Sequence, residues 1–116
     1  MTFGTSFEQG DIVLVTVPFT DFSSEKQRPA LVISNNEYNR KVEDIVVCGI
    51  TSNIKQEDYS VVIERKDLQE GFLPVTSRVK TDKLFTVHKS VVKRKIAKTN
   101  QETLSKVKRE LSRLFN

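Results

Sequence analysis

Residues 44–50 read Asp44-Ile-Val-Val-Cys-Gly-Ile50. The run is apolar at both alternating sets of positions, rich in β-branched residues and short for a helix. It therefore reads as a strand at the centre of a sheet, covered on both faces. Gly49 inside it marks a bend or a close backbone approach. Outward from it, Ala30-Leu-Val-Ile33 is a second strand, ended by the turn-forming Ser34-Asn35-Asn36. Asp11-Ile-Val-Leu-Val-Thr-Val17 is another, set between Gly10 and Pro18, with a loose polar segment at residues 1–9. Thr20 to Gln27 reads as a polar loop, Tyr59 to Glu64 as a strand, and Lys66 to Gly71 as a turn or short helical piece. A more polar strand pattern runs from Val75 to Val87, and Val91 and Val92 suggest one more short strand.

The period then changes. Leu104, Val107, Leu111, Leu114 and Phe115 recur at helical spacing, with Lys106, Lys108, Arg109 and Arg113 between them. Thr99 and Glu102 form a capping-box pattern, so a helix is expected over 99–115. Five or six short strands and a final helix, without βαβ alternation, give a mainly β, α+β class. The expected architecture is a small curled sheet or barrel packed against that helix. Closure would also hide the edge strands of so small a sheet.

A chain of 116 residues is expected to form one domain over 1–116. With 37% hydrophobic and 29% charged residues it is globular in composition rather than disordered. No apolar run reaches the ~18 residues of a membrane helix, and Met1–Gly10 lacks the pattern of a signal peptide. The single cysteine, Cys48, excludes an internal disulfide. A cytoplasmic protein with no membrane partner is expected. The net charge of +4 is uneven. Residues 1–77 hold 7 Lys/Arg against 12 Asp/Glu, a balance of −5, whereas residues 78–116 hold 12 against 3, a balance of +9. A basic third suits a polyanionic partner, since clustered cations release counterions from phosphates, or else forms a solvated basic face.

One His and one Cys cannot assemble a zinc set, and the carboxylates form no magnesium or calcium loop. Phosphate-cradling and dinucleotide glycine motifs are absent, as is a serine-hydrolase elbow. No metal or cofactor is expected. Three places carry chemistry. Arg28, held extended by Pro29, presents a planar cationic fork suited to phosphate, or is a surface arginine beside a turn. Thr51 and Ser52 leave the central strand as a hydroxyl pair, which commonly just ends a strand. Arg78, Lys80 and Asp82 alternate onto one face, with Val79, Thr81, Lys83 and Phe85 on the other. That face is either plain solvent surface or the charged floor of a nucleic-acid groove.

Gly10-Asp-Ile-Val13, Pro18-Phe-Thr-Asp-Phe22, Arg28-Pro-Ala-Leu-Val32, Ile50-Thr-Ser52 and Asp82-Lys-Leu-Phe-Thr86 occur in this order. Together they resemble the MazF/PemK family of toxin–antitoxin endoribonucleases, from about Gly10 through the final helix. The resemblance implies an SH3-like barrel with a C-terminal helix, and a homodimer with an RNA groove along its interface. It implies sequence-selective, metal-independent cleavage of single-stranded RNA such as mRNA, by 2′-hydroxyl attack that leaves 2′,3′-cyclic phosphate and 5′-hydroxyl ends. Arg28 and Thr51 match the positions usually assigned to catalysis. Where some members place an Arg and an Asp on the later strand, this chain has Lys80 and Asp82. The family's Thr-x-Asp motif reads Thr86-Val-His88 here.

On this resemblance Arg28 stabilises phosphorane charge, Thr51 hydrogen-bonds an oxygen of the reacting phosphate or leaving group, and Asp82 leads as the base, ahead of Glu25 and His88. Lys80 and Ser52 would bind substrate. Lys26, Gln27, Asn53 and Lys55, in the two flanking loops, would read the RNA sequence, and Phe19, Phe22 and Phe72 could stack bases. The expected partner is a cognate antitoxin with an acidic tail, and the pair would bind promoter DNA mainly through it. The competing reading is a non-catalytic binder on the same scaffold, either a gyrase-inhibitor-like protein or a degenerate toxin.

Overall fold

In the computed structural model, which describes residues 6–18 and 25–116, the three apolar runs lie side by side. Strands β1 (Asp11–Pro18), β2 (Glu25–Val32) and β3 (Asp44–Thr51) pair antiparallel, Ile12 opposite Leu31 and Ala30 opposite Gly49. β4 (Ser60–Ile63), β5 (Leu68–Gly71), β6 (Ser77–His88) and β7 (Val92–Thr99) complete one seven-stranded sheet in the order β4-β6-β3-β2-β1-β7-β5. Helix α1 spans Asn36–Lys41 and α2 spans Gln101–Phe115. The class is the expected one: a curled antiparallel sheet, an open half-barrel, with the C-terminal helix packed on β4 and β6.

Strict alternation explains why the central strands read as unbroken apolar runs. Ile12, Leu31, Cys48 and Ile50 point to one face and join Val61, Ile63, Val79, Ala97 and Val107 of α2 in one core. Val13, Val15, Ala30, Val32, Ile45 and Val47 point to the other face and form a second core with Phe7. Both faces are buried, so neither set of positions is polar. Register shifts between β1 and β7, at Ile12/Val13 and Leu14/Val15, bend the sheet.

Several expectations are corrected. Residues 25–27 are not loop but the start of β2, laddered to β1 through Val17–Lys26 and Pro18–Glu25. Asn35 does not merely turn the chain: it caps α1, accepting the Tyr38 N–H through Oδ1 at 2.8 Å. The N-terminal segment is anchored where it is described, with Phe7 buried and Gln9 donating to the Ile33 carbonyl at 2.7 Å. Lys66–Gly71 divides into a short 3₁₀ turn at Arg65–Asp67 and β5. The strand suggested by Val91 and Val92 extends to Thr99, and the cap of α2 is Asn100 rather than Thr99. Asn100 Oδ1 accepts the Thr103 N–H at 2.9 Å, while the Thr99 hydroxyl is occupied in the sheet, donating to the Asp67 carbonyl.

The face assignment along β6 also changes. Cys48 lies opposite Leu84 but Gly49 lies opposite Lys80, so residues 81–83 bulge out of the ladder. Three extra residues, an odd number, invert the alternation. Val79 therefore packs in the core of Cys48, while Phe85 packs against the core of Val47. Gly49 faces this bulge, where an added Cβ would stand 3.4 Å from Lys83 Cβ.

An ion-pair group ties the strand ends together. The buried Asp11 carboxylate accepts the Glu8 N–H at 2.9 Å and lies 3.4 and 3.5 Å from Lys95 and Lys98 Nζ. Lys98 also binds Glu8 at 2.8 Å, and Lys95 binds Glu70 at 2.5 Å. Part of the C-terminal positive charge is thus neutralised within the fold. No helix of the described residues is long and apolar enough to cross a membrane.

Candidate nucleic-acid site

The end of β3 organises the site. Thr51 is the ladder partner of Arg78 on β6. On the other side, β2 pairs with β3 only as far as Ala30–Gly49, so Arg28, two residues before Ala30, lies beyond that ladder. Arg28 and Thr51 thus stand on neighbouring strands without a shared rung, and Arg78 faces Thr51 across the β3–β6 ladder. Thr51 is half-buried, and its Oγ1 accepts the Asn53 N–H at 3.1 Å, which turns the chain out of the sheet. Asn53 Oδ1 accepts the Lys55 N–H at 3.1 Å, so its carbonyl holds the loop. Arg78 reaches over that loop, donating to Ser60 Oγ at 3.0 Å, while its buried Nε has no hydrogen-bond partner among the described residues.

Beside the end of β3 lies a cleft of about 620 Å³. β2 supplies Lys26, Gln27 and Arg28, and Ser52 stands at the end of β3. Leu14, Pro29 and Ile50 are apolar lining, Phe72–Val75 form another wall, and Arg94 and Lys95 come from β7. Four described lining residues are cationic and none is a carboxylate. Of the residues singled out from sequence, Lys26, Gln27, Arg28, Ser52 and Phe72 meet in this cleft. Thr51, Asn53, Lys55, Lys80 and Asp82 do not line it. Arg94, which entered the sequence reading only through the charge balance of residues 78–116, is brought here by β-pairing.

Lys80 and Asp82 form a separate cluster two rungs along from Arg78. Lys80 Nζ is 2.5 Å from Glu57 and 4.0 Å from Asp82, and its side chain is only 17% exposed. The Glu57 hydrogen bond raises the Lys80 pKa, and the same contact lowers that of Glu57. The turn that delivers Glu57 is strained: Tyr59 adopts φ +58°, and its carbonyl accepts both the N–H and the hydroxyl of Thr81, at 3.0 and 2.6 Å. Burial, with the Asp82 charge adding to it, pushes the Cys48 thiol up to about 12, so Cys48 is a core residue rather than a nucleophile. His88 lies apart, opposite Asp44 with its ring bonded to Ser90. No three described His, Cys, Asp or Glu residues come together as a metal set. Phe19 and Phe22, and the side chain of Glu25, lie outside the described residues.

Residues 8–115 match the family of PemK-like, MazF-like toxins of type II toxin–antitoxin systems. The chain belongs to this family. A sequence search of curated proteins returned no match. Solved PemK/MazF-like structures share the fold. An endoribonuclease from a mycobacterial species is 20% identical with a TM-score of 0.79, over 98% of this chain and 95% of that one. A mycobacterial endoribonuclease in complex with its cognate antitoxin is 20% identical with a TM-score of 0.74, over 95% and 93%. MazE–MazF from Deinococcus radiodurans is 21% identical with a TM-score of 0.80, over 96% of each chain.

Proposed function

We propose that this PemK/MazF-like toxin is a sequence-selective endoribonuclease that cuts single-stranded RNA without a metal, and that a cognate antitoxin neutralises it. The cleft carries the reading: its described lining holds four cations, no carboxylate and an apolar wall, and brings Arg28 and Ser52 together at the end of β3. Such a surface suits an RNA backbone with unstacked bases.

In the reaction the 2′-oxygen attacks the adjacent phosphorus and the bond from phosphorus to the 5′-oxygen breaks. The products are a 2′,3′-cyclic phosphate and a 5′-hydroxyl. Charge accumulates on the non-bridging oxygens, where a fixed guanidinium is most effective, and Arg28 takes that role. Arginine holds its proton too tightly to be the base. Asp82 accepts the 2′-hydroxyl proton, the Thr51 hydroxyl donates to a phosphate or leaving-group oxygen, and the 5′-oxygen leaves with a proton from solvent. Lys80 and Ser52 bind the flanking backbone, and Lys26, Gln27, Asn53 and Lys55 contact neighbouring nucleotides. Neutralisation by an acidic antitoxin tail follows from the same charge, promoter DNA is bound mainly through that partner, and the working unit is a homodimer.

One observation favours a second reading, a non-cutting binder. Lys80 is engaged by Glu57 and Asp82, so substrate phosphate must displace a carboxylate to reach it. Incubating the protein with mixed-sequence RNA in chelator and mapping the ends decides between the two. Cyclic-phosphate and 5′-hydroxyl ends support the enzyme; tight binding with intact RNA supports the binder.

A further inference from the structure

We infer that the cleft is a nucleobase pocket, whose apolar wall takes one unpaired base beside the scissile phosphate with Phe72 as the stacking surface. The inference rests on the proposed ribonuclease reading, although Phe72 takes no part in that chemistry. Phe72 is 53% exposed while its neighbour Leu73 is buried in the core. An exposed ring on a firm base is what base stacking uses.

The backbone fixes that ring. Gly71 has φ +84°, and a Cβ there would stand 2.3 Å from the Ile96 carbonyl oxygen, so only glycine lets β5 approach β7 this closely. The Phe72 N–H then donates to that same carbonyl at 3.1 Å. Arg65, which does not line the cleft, lays its guanidinium over the ring 4.9 Å from the centroid and braces it. The cleft volume of about 620 Å³ matches a small ligand such as one nucleotide. Lys26, Arg28 and Arg94, which also line the cleft, complement the attached phosphates, and the Gln27 amide offers an uncharged donor and acceptor for a base edge.

The test begins by mapping the cut that the wild-type protein makes in a mixed-sequence RNA. The same RNA with a 2′-deoxynucleotide at the cut is then the binding probe. Removing the base on one side of the cut, as an abasic residue, should weaken wild-type binding about 5- to 150-fold. Phe72→Ala should lose a similar factor on the intact probe and little more on the abasic one, while Phe72→Trp retains tight binding. Equal binding of intact and abasic probes, or unchanged affinity in Phe72→Ala, overturns the pocket while cleavage stands. Phe72→Ala that binds RNA normally but loses an acidic antitoxin peptide assigns the wall to a protein partner and also overturns it. A wild-type protein that cuts no RNA removes the ribonuclease reading and the pocket with it.

Discussion

Gly71 and Ile96 are so close that a methyl group on Gly71 would overlap the Ile96 carbonyl oxygen. The left-handed φ of +84° adds a second objection to any side chain. Gly71→Ala should therefore destabilise the protein by about 2 kcal/mol or more, lowering Tm by about 8 °C or more. It should weaken RNA binding as well, because Phe72 shifts with it. A thermal melt matching wild type would mean that β5 does not depend on this contact.

The ion pairs predict how stability responds to acid. Hydrogen bonds from Lys98, Lys80 and Lys95 hold the Glu8, Glu57 and Glu70 carboxyls below the ordinary 4.5. A depressed folded-state pKa contributes stability that is present above 4.5 and lost as pH falls through the folded value. Melting temperature should thus fall modestly below about pH 4.5, and added salt should reduce the effect because these groups are exposed. Lys98→Met should be destabilised relative to wild type at pH 7, with the gap narrowing by pH 3. A gap independent of pH would show that Lys98 contributes by packing alone.

On the proposed function, phosphate would have to compete with Glu57 for Lys80. Glu57→Gln should tighten binding of single-stranded RNA several-fold and steepen the dependence of log affinity on log salt by about 0.7, one additional phosphate contact. Titrations at three salt concentrations measure both. Weaker binding in Glu57→Gln would instead make Glu57 a positioning group for Lys80.

Asn100→Ala should cost about 1 kcal/mol and about 5 °C in Tm, because it leaves the Thr103 N–H without its acceptor. The usual confirmation is a melt of the single variant, and an unchanged Tm would contradict the cap.

This cap also marks where sequence reading falls short. Thr99 and Glu102 have capping-box spacing, yet Thr99 belongs to β7, and a tertiary bond to Asp67 decides the helix start. The runs at Asp11–Val17, Ala30–Ile33 and Asp44–Ile50 were legible because both faces are buried. The periodicity of α2 was legible because one face meets the sheet. β7 was nearly hidden, since Lys93, Arg94, Lys95 and Lys98 carry no strand pattern and only pairing with β1 and β5 makes them one. α1, six residues long, is too short to show a period. The bulge at 81–83 is invisible to an alternation rule and moves Phe85 to the other core. For the site, Arg28 and Ser52 flank strands that could be read. Arg94 is brought to the same cleft only by the β1–β7 pairing, and Phe72 by that of β5 with β7.

The most direct measurement compares wild type and Arg28→Ala on mixed-sequence single-stranded RNA in chelator, with product ends mapped and folding checked by thermal melting. The account predicts 2′,3′-cyclic phosphate and 5′-hydroxyl ends from wild type. It also predicts a rate at least about 100-fold lower from a fully folded Arg28→Ala protein. Wild-type cleavage rates in the folded variant would contradict it.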